Sequence, residues 1–120
     1  MTLILVVDDN ELNLELANDT LELEGFEVVT ARSGPEGIEK AKSLMPDLIL
    51  MDLRMPDMSG KEAMQVLRST DKTRDIPVAV LTASAMKGEE ERLLACGFDA
   101  YLQKPINPSV FGEQVMLLLK

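Results

Sequence analysis

The sequence predicts an α/β fold: five parallel strands in one sheet, with helices covering both faces. Three observations carry this. Five short apolar, β-branched-rich runs recur along the 120 residues, and each is followed by a segment with helical spacing. Two of the helical segments end at a glycine that leads straight into the next element, Glu24-Gly25-Phe26 and Cys96-Gly97-Phe98. Glycine suits the left-handed residue that closes a helix. Strand followed by helix, five times over, is the pattern of a parallel sheet in layered packing.

In order, the expected strands are Leu3–Val7, Phe26–Ala31, Asp47–Asp52, Pro77–Thr82 and Ala100–Gln103. The first and third are continuously apolar and do not alternate, which suits central strands buried on both faces. The first helix is expected behind Asn10 as N-cap, with Leu12, Leu16 and Leu23 recurring at helical steps. The second carries Ile38, Ala41 and Leu44 on one stripe. The third opens after Gly60 and carries Ala63, Met64 and Leu67. The fourth spans about Lys87 to Cys96 and the fifth about Ser109 to Leu119. With no linker or low-complexity tract between them, residues 1–120 read as one domain.

Composition narrows the function. Apolar residues make up 46% and charged residues 28%, ordinary for a globular chain and unlike a disordered one. No apolar run reaches the roughly 18 residues that span a bilayer, and no leader segment opens the chain. A cytoplasmic location without membrane contact is the expectation. There is no histidine and one cysteine, Cys96. That removes Ser-His-Asp chemistry, the usual zinc ligand sets and an internal disulfide. A net charge of −9 repels nucleic acid and favours a cation as ligand.

The polar residues at the strand ends say which ligand. Right-handed crossovers bring every strand end to one edge of the sheet, where ligands of open α/β sheets bind. Asp8 and Asp9 follow the first strand, Asp52 ends the third, Thr82 ends the fourth and Lys104 follows the fifth. With strand order 2-1-3-4-5 the first and third strands are neighbours, about 5 Å apart, and Asp9 and Asp52 can share an ion. With order 3-2-1-4-5 the separation is about 10 Å and they cannot. In the first arrangement three carboxylates favour a hard divalent cation, and magnesium fits best. Lysine and threonine suit phosphoryl oxygens. The set points to an anionic group carried on Asp52, with its carboxylate as nucleophile.

Four motifs, each at a strand end, then resemble one family. They are VVDDN at Val6–Asn10, DLRMPDMSG at Asp52–Gly60, LTA at Leu81–Ala83 and YLQKP at Tyr101–Pro105. Together they are similar to the response-regulator receiver domain of two-component signalling, the CheY-like group, over essentially the whole chain. The stretch Ala85–Arg92 (AMKGEEER) further resembles DivK-like single-domain regulators and hybrid-kinase receivers. The resemblance implies a flavodoxin-like three-layer sandwich of order 2-1-3-4-5. It implies Asp52 as phosphoacceptor, taking its phosphoryl group from a sensor histidine kinase or a phosphotransfer protein. Asp9, Asp52 and the backbone carbonyl of Arg54 would hold Mg2+, or Mn2+ in its place, with Asp8 holding a coordinating water.

Thr82, the backbone amide of Ala83 and Lys104 would bind the phosphoryl group, and Tyr101 would be the switch aromatic. The Lys104-Pro105 bond would be cis, and Arg54 and Ser84 would tune the lifetime of the phosphoryl group. Leu12, Asn13, Leu16, Pro105 and Ile106 form an expected docking patch for the phosphodonor, although Leu16 also suits the core. Activity would be limited to self-phosphorylation from a donor and slow autodephosphorylation. Output would go to a downstream protein through the fourth helix, fifth strand and fifth helix, with a phosphorylation-dependent homodimer left open. Two rivals remain. An aspartyl-phosphate phosphohydrolase would want an acid where Arg54 stands. A flavin or dinucleotide module would want a glycine-rich phosphate loop, for which Gly34-Pro35-Glu36-Gly37 is too sparse.

Overall fold

A computed structural model describes residues 2–83 and 88–119. Its elements alternate throughout: β1 (Leu3–Val7), α1 (Glu11–Leu23), β2 (Glu27–Ala31), α2 (Gly34–Leu44), β3 (Leu48–Asp52), α3 (Gly60–Ser69), β4 (Val78–Thr82), α4 (Glu89–Cys96), β5 (Ala100–Gln103) and α5 (Pro108–Leu118). The five strands are parallel and lie in the order β2-β1-β3-β4-β5. The expected strands are met to within one residue. Phe26, Asp47 and Pro77 fall just outside β2, β3 and β4.

Every residue of β3 and β4 is buried, whereas β2 and β5, at the edges, are mostly half-exposed. Side chains alternate between the two faces of the sheet, and two cores result. Leu5, Val7, Ile49, Met51, Val78 and Val80 pack under Ile38 and Ala41 of α2, Ala63, Met64 and Leu67 of α3, and Leu93 of α4. Ile4, Val6, Leu48, Leu50, Ala79 and Leu81 pack under Leu14, Ala17 and Leu21 of α1 and Phe111 and Val115 of α5. Central strands sandwiched this way are apolar along their length, which explains the unbroken runs, and turn polar only at their carboxyl ends, Asp52 and Thr82.

The expected face of α1 is corrected. Leu12 and Leu23 are 74% and 89% exposed, and Leu16 is only partly buried against the core. The buried residues are Leu14, Ala17, Thr20 and Leu21. Both leucine sets recur at helical steps, and the sheet takes the one that includes the small Ala17. In α2, Ile38 and Ala41 face inward as expected, but Leu44, in the last turn, is 46% exposed.

Capping follows the sequence closely. The Asn10 side chain accepts from the backbone N–H groups of Leu12 and Asn13 at 2.9 and 3.2 Å, satisfying orphan donors of the first turn. Ser59 and Glu62 form a reciprocal capping box at α3. Gly25 and Gly97 take φ of +93° and +129°, the left-handed stops predicted for α1 and α4. α2 ends on Met45 at φ +50°, a left-handed residue with a Cβ, which costs about 1–2 kcal/mol.

Candidate acidic site at the carboxyl edge of the sheet

The register assembles the site. Val7 of β1 is paired with Met51 of β3, so the residues that follow, Asp8 and Asp52, emerge side by side. Asp52 is paired with Leu81 and Thr82 with Gln103, which carries the edge on to Lys104. The Lys104 backbone N–H donates to the Thr82 carbonyl at 2.8 Å, and the Lys104-Pro105 bond that follows is cis. One carboxylate oxygen each from Asp8, Asp9 and Asp52 lies within 4.8 Å of the others. Asp8 and Asp52 are buried at 1% and 5% exposure, while Asp9 is open to solvent.

Lys104 binds both buried acids. Its Nζ donates to Asp52 Oδ1 at 3.0 Å and lies 2.8 Å from Asp8 Oδ2. Burial raises the Asp52 carboxyl and the nearby Asp8 charge adds to it; the Lys104 hydrogen bond and the Arg54 backbone N–H oppose them. The outcome is a value of about 6, up from 3.8. For Lys104, burial pushes toward the neutral amine, but the hydrogen bonds to Asp8 and Asp52 prevail and hold the ammonium above its ordinary value. One lysine thus faces two buried carboxylates, and the site carries negative charge in excess.

Beside this group opens a cleft of about 390 Å³ lined by Asp52, Leu53, Arg54, Thr82, Ala83 and Lys104. Thr82 is buried at the end of β4, and Ala83 is exposed at the rim. The backbone at Asp52 and Leu53 packs against Gly60, a residue expected only at a helix start. A Cβ on Gly60 would stand 2.2 Å from the Asp52 carbonyl oxygen, so only glycine lets α3 begin against the Asp52 backbone. The Gly60 N–H donates to the Leu53 carbonyl at 2.8 Å. The sequence signal was available, a glycine directly after the Ser59 cap.

The donor set is all oxygen and anionic, with Asp9 presenting an open side to water. That fits a hard divalent cation which keeps part of its hydration shell. The wider similarity of the chain agrees with this chemistry. The family model described as the response regulator receiver domain matches residues 4–115. The chain belongs to the response-regulator receiver family. The polar-differentiation response regulators DivK of Brucella anthropi and Brucella ovis are each 44% identical over 112 residues, 93% of this chain and 91% of theirs. Among solved structures, the Vibrio cholerae chemotaxis protein CheY4 superposes with TM-score 0.91 at 30% identity, covering 99% of both chains. The signal receiver domain of a Syntrophus aciditrophicus histidine kinase gives TM-score 0.87 at 32% identity, covering 99% of this chain and 90% of its own.

The fold is therefore the flavodoxin-like, CheY-like arrangement of order 2-1-3-4-5, and the alternative order 3-2-1-4-5 is not adopted. Receiver domains are signalling modules of two-component response regulators, not enzymes that turn over a metabolite. The family binds magnesium at an acidic cluster of the kind formed here by Asp8, Asp9 and Asp52. Among the described residues no helix is long and apolar enough to cross a membrane.

The remaining expected residues sort by position. Tyr101 is half-buried in β5 and packs against the α2–α3–α4 core. Leu12 and Pro105 are exposed and Asn13 is half-buried. Ile106 is 8% exposed and belongs to the α1–α5 core, so its side chain does not stand outward with theirs. Ser84, Ala85, Met86 and Lys87, and with them one of the two residues expected to tune the phosphoryl lifetime and part of the AMKGEEER stretch, lie outside the described residues.

Proposed function

We propose that this receiver accepts a phosphoryl group on Asp52 and uses it as a two-state signal. The observation that carries the reading is the grouping of Asp52 with Lys104 at 3.0 Å and with Asp8 and Asp9 within 4.8 Å, beside an open cleft. A carboxylate oxygen of Asp52 attacks phosphorus of a phosphohistidine. The P–N bond breaks and its electron pair stays on the imidazole, which leaves neutral with its proton on the other nitrogen. Lys104 holds one oxygen of the transferring group, while Thr82 and the Ala83 amide hold others. Asp8, Asp9, Asp52 and the Arg54 carbonyl would hold Mg2+, or Mn2+ in its place, which when bound supplies charge neutralisation for the transferring phosphoryl.

The donor is a sensor histidine kinase or a histidine phosphotransfer protein, docking near Leu12, Asn13, Leu16 and Pro105. New charge on Asp52 draws Thr82 inward, Tyr101 follows, and the α4–β5–α5 face changes its affinity for a protein target or for a second copy. The reading of residues 1–120 as one receiver domain belongs to the same proposal. The experiment is phosphorylation by acetyl phosphate and Mg2+, read by intact mass, for wild type and Asp52→Asn. We expect one phosphoryl group, lost in alkali and absent from the variant. Equal labelling of Asp52→Asn would remove Asp52 as the acceptor. Sustained turnover of a phosphomonoester would favour the phosphohydrolase reading.

A further inference from the structure

The first turn of α1 fastens one of the three acids. The Asn10 backbone N–H donates to Asp8 Oδ1 at 2.9 Å. One helical turn on, Asn13 Nδ2 donates to Asp8 Oδ2 at 3.3 Å. Lys104 Nζ meets the same oxygen at 2.8 Å. Asp8 is 1% exposed, so these protein donors replace the water that would otherwise solvate it. Both of its oxygens are held.

The donors are not equivalent. Asn10 fixes one oxygen but leaves the carboxylate able to swing about it. Lys104 is shared with Asp52 at 3.0 Å, so its position answers to whatever charge Asp52 carries. Asn13 is neutral, sits on a helix whose first turn is capped through its own backbone N–H, and does not depend on Asp52. It is the donor that can fix the plane of Asp8 in every charge state of the site.

We infer that Asn13 is a positioning residue: it orients the Asp8 carboxylate and thereby sets the affinity of the acidic site for a divalent cation. The inference rests on the reading of Asp8, Asp9 and Asp52 as that site. Outer donors that orient metal-binding groups change affinity by roughly 10- to 100-fold when removed. A neutral amide at 3.3 Å on one of three acids belongs at the low end, about tenfold.

The test is an Mg2+ titration of the purified, metal-free chain, followed by backbone amide chemical shifts, for wild type, Asn13→Ala and Asn13→Leu. Leucine keeps the bulk and favours the helix, so at least one folded variant is available if alanine frays the turn. We expect Kd for Mg2+ to rise about tenfold in both, together with a lower metal-free thermal midpoint, because a hydrogen bond to a buried carboxylate is lost. A purely structural role would lower that midpoint and leave Kd alone. Wild-type Kd in either folded variant overturns the inference. A wild-type chain that binds no Mg2+ would instead overturn the site reading on which it rests.

Discussion

Replacing Asp52 by asparagine should stabilise the metal-free protein at neutral pH, although it removes a charge that Lys104 contacts. The Asp52 carboxyl is raised in the folded protein to about 6 from 3.8. Between those two values the folded state binds more protons than the unfolded chain, so stability falls as pH rises through the window. Each tenfold gain in proton affinity on folding is worth about 1.4 kcal/mol. Above about pH 6 the ionised carboxylate therefore weighs against folding by about 3 kcal/mol. Asparagine keeps the shape without the charge, and Lys104 retains Asp8 at 2.8 Å.

The Lys104 contact is already contained in that value, so the gain should be up to about 3 kcal/mol at pH 7.5. It should vanish near pH 4, where the wild-type acid is protonated in the folded state. The assay is urea unfolding of both proteins in chelator at the two pH values, with the difference taken at each. Excess Mg2+ should then stabilise wild type more than the variant. A variant less stable than wild type at pH 7.5, or a difference that ignores pH, would refute the argument that burial dominates at Asp52.

Three further outcomes follow from the same geometry. Lys104→Met leaves Asp8 and Asp52 buried without their cation and should cost about 3 kcal/mol in chelator, partly restored by Mg2+ in urea unfolding. Gly60→Ala drives a methyl to 2.2 Å from the Asp52 carbonyl and should cost about 2 kcal/mol, with amide shifts spreading from Asp52 to Leu53. Leu21→Ala, in the core under β1, should lose about 2–5 kcal/mol. Leu23→Ala, 89% exposed, should stay within about 0.5 kcal/mol, and the two denaturation curves side by side decide which leucine face is buried.

What the sequence settled by itself is local. The central strands came from unbroken apolar runs, which suit strands covered on both faces, and the edge strands from β-branched or aromatic runs. Helix ends came from Asn10, Gly25 and Gly97, because a cap is satisfied by atoms a few residues away. The acids at the strand ends, and the lysine before Pro105, could be read in the same way, and their motifs gave the family.

What depends on residues distant in the chain was decided only in three dimensions. Periodicity allowed α1 to bury either Leu12, Leu16 and Leu23 or Leu14, Ala17 and Leu21; the neighbouring sheet and α5 chose the second. Two strand orders suited the same strands, and only the pairing of Val7 with Met51 brought Asp8 and Asp52 to one lysine. The close approach of Gly60 to the Asp52 carbonyl, the inward turn of Ile106 and the reach of Asn13 to Asp8 belong to this second kind. A sequence fixes which groups can cap, bury or bind. Which of them meet is set by packing, since shape and distance enter the free energy only when the layers close.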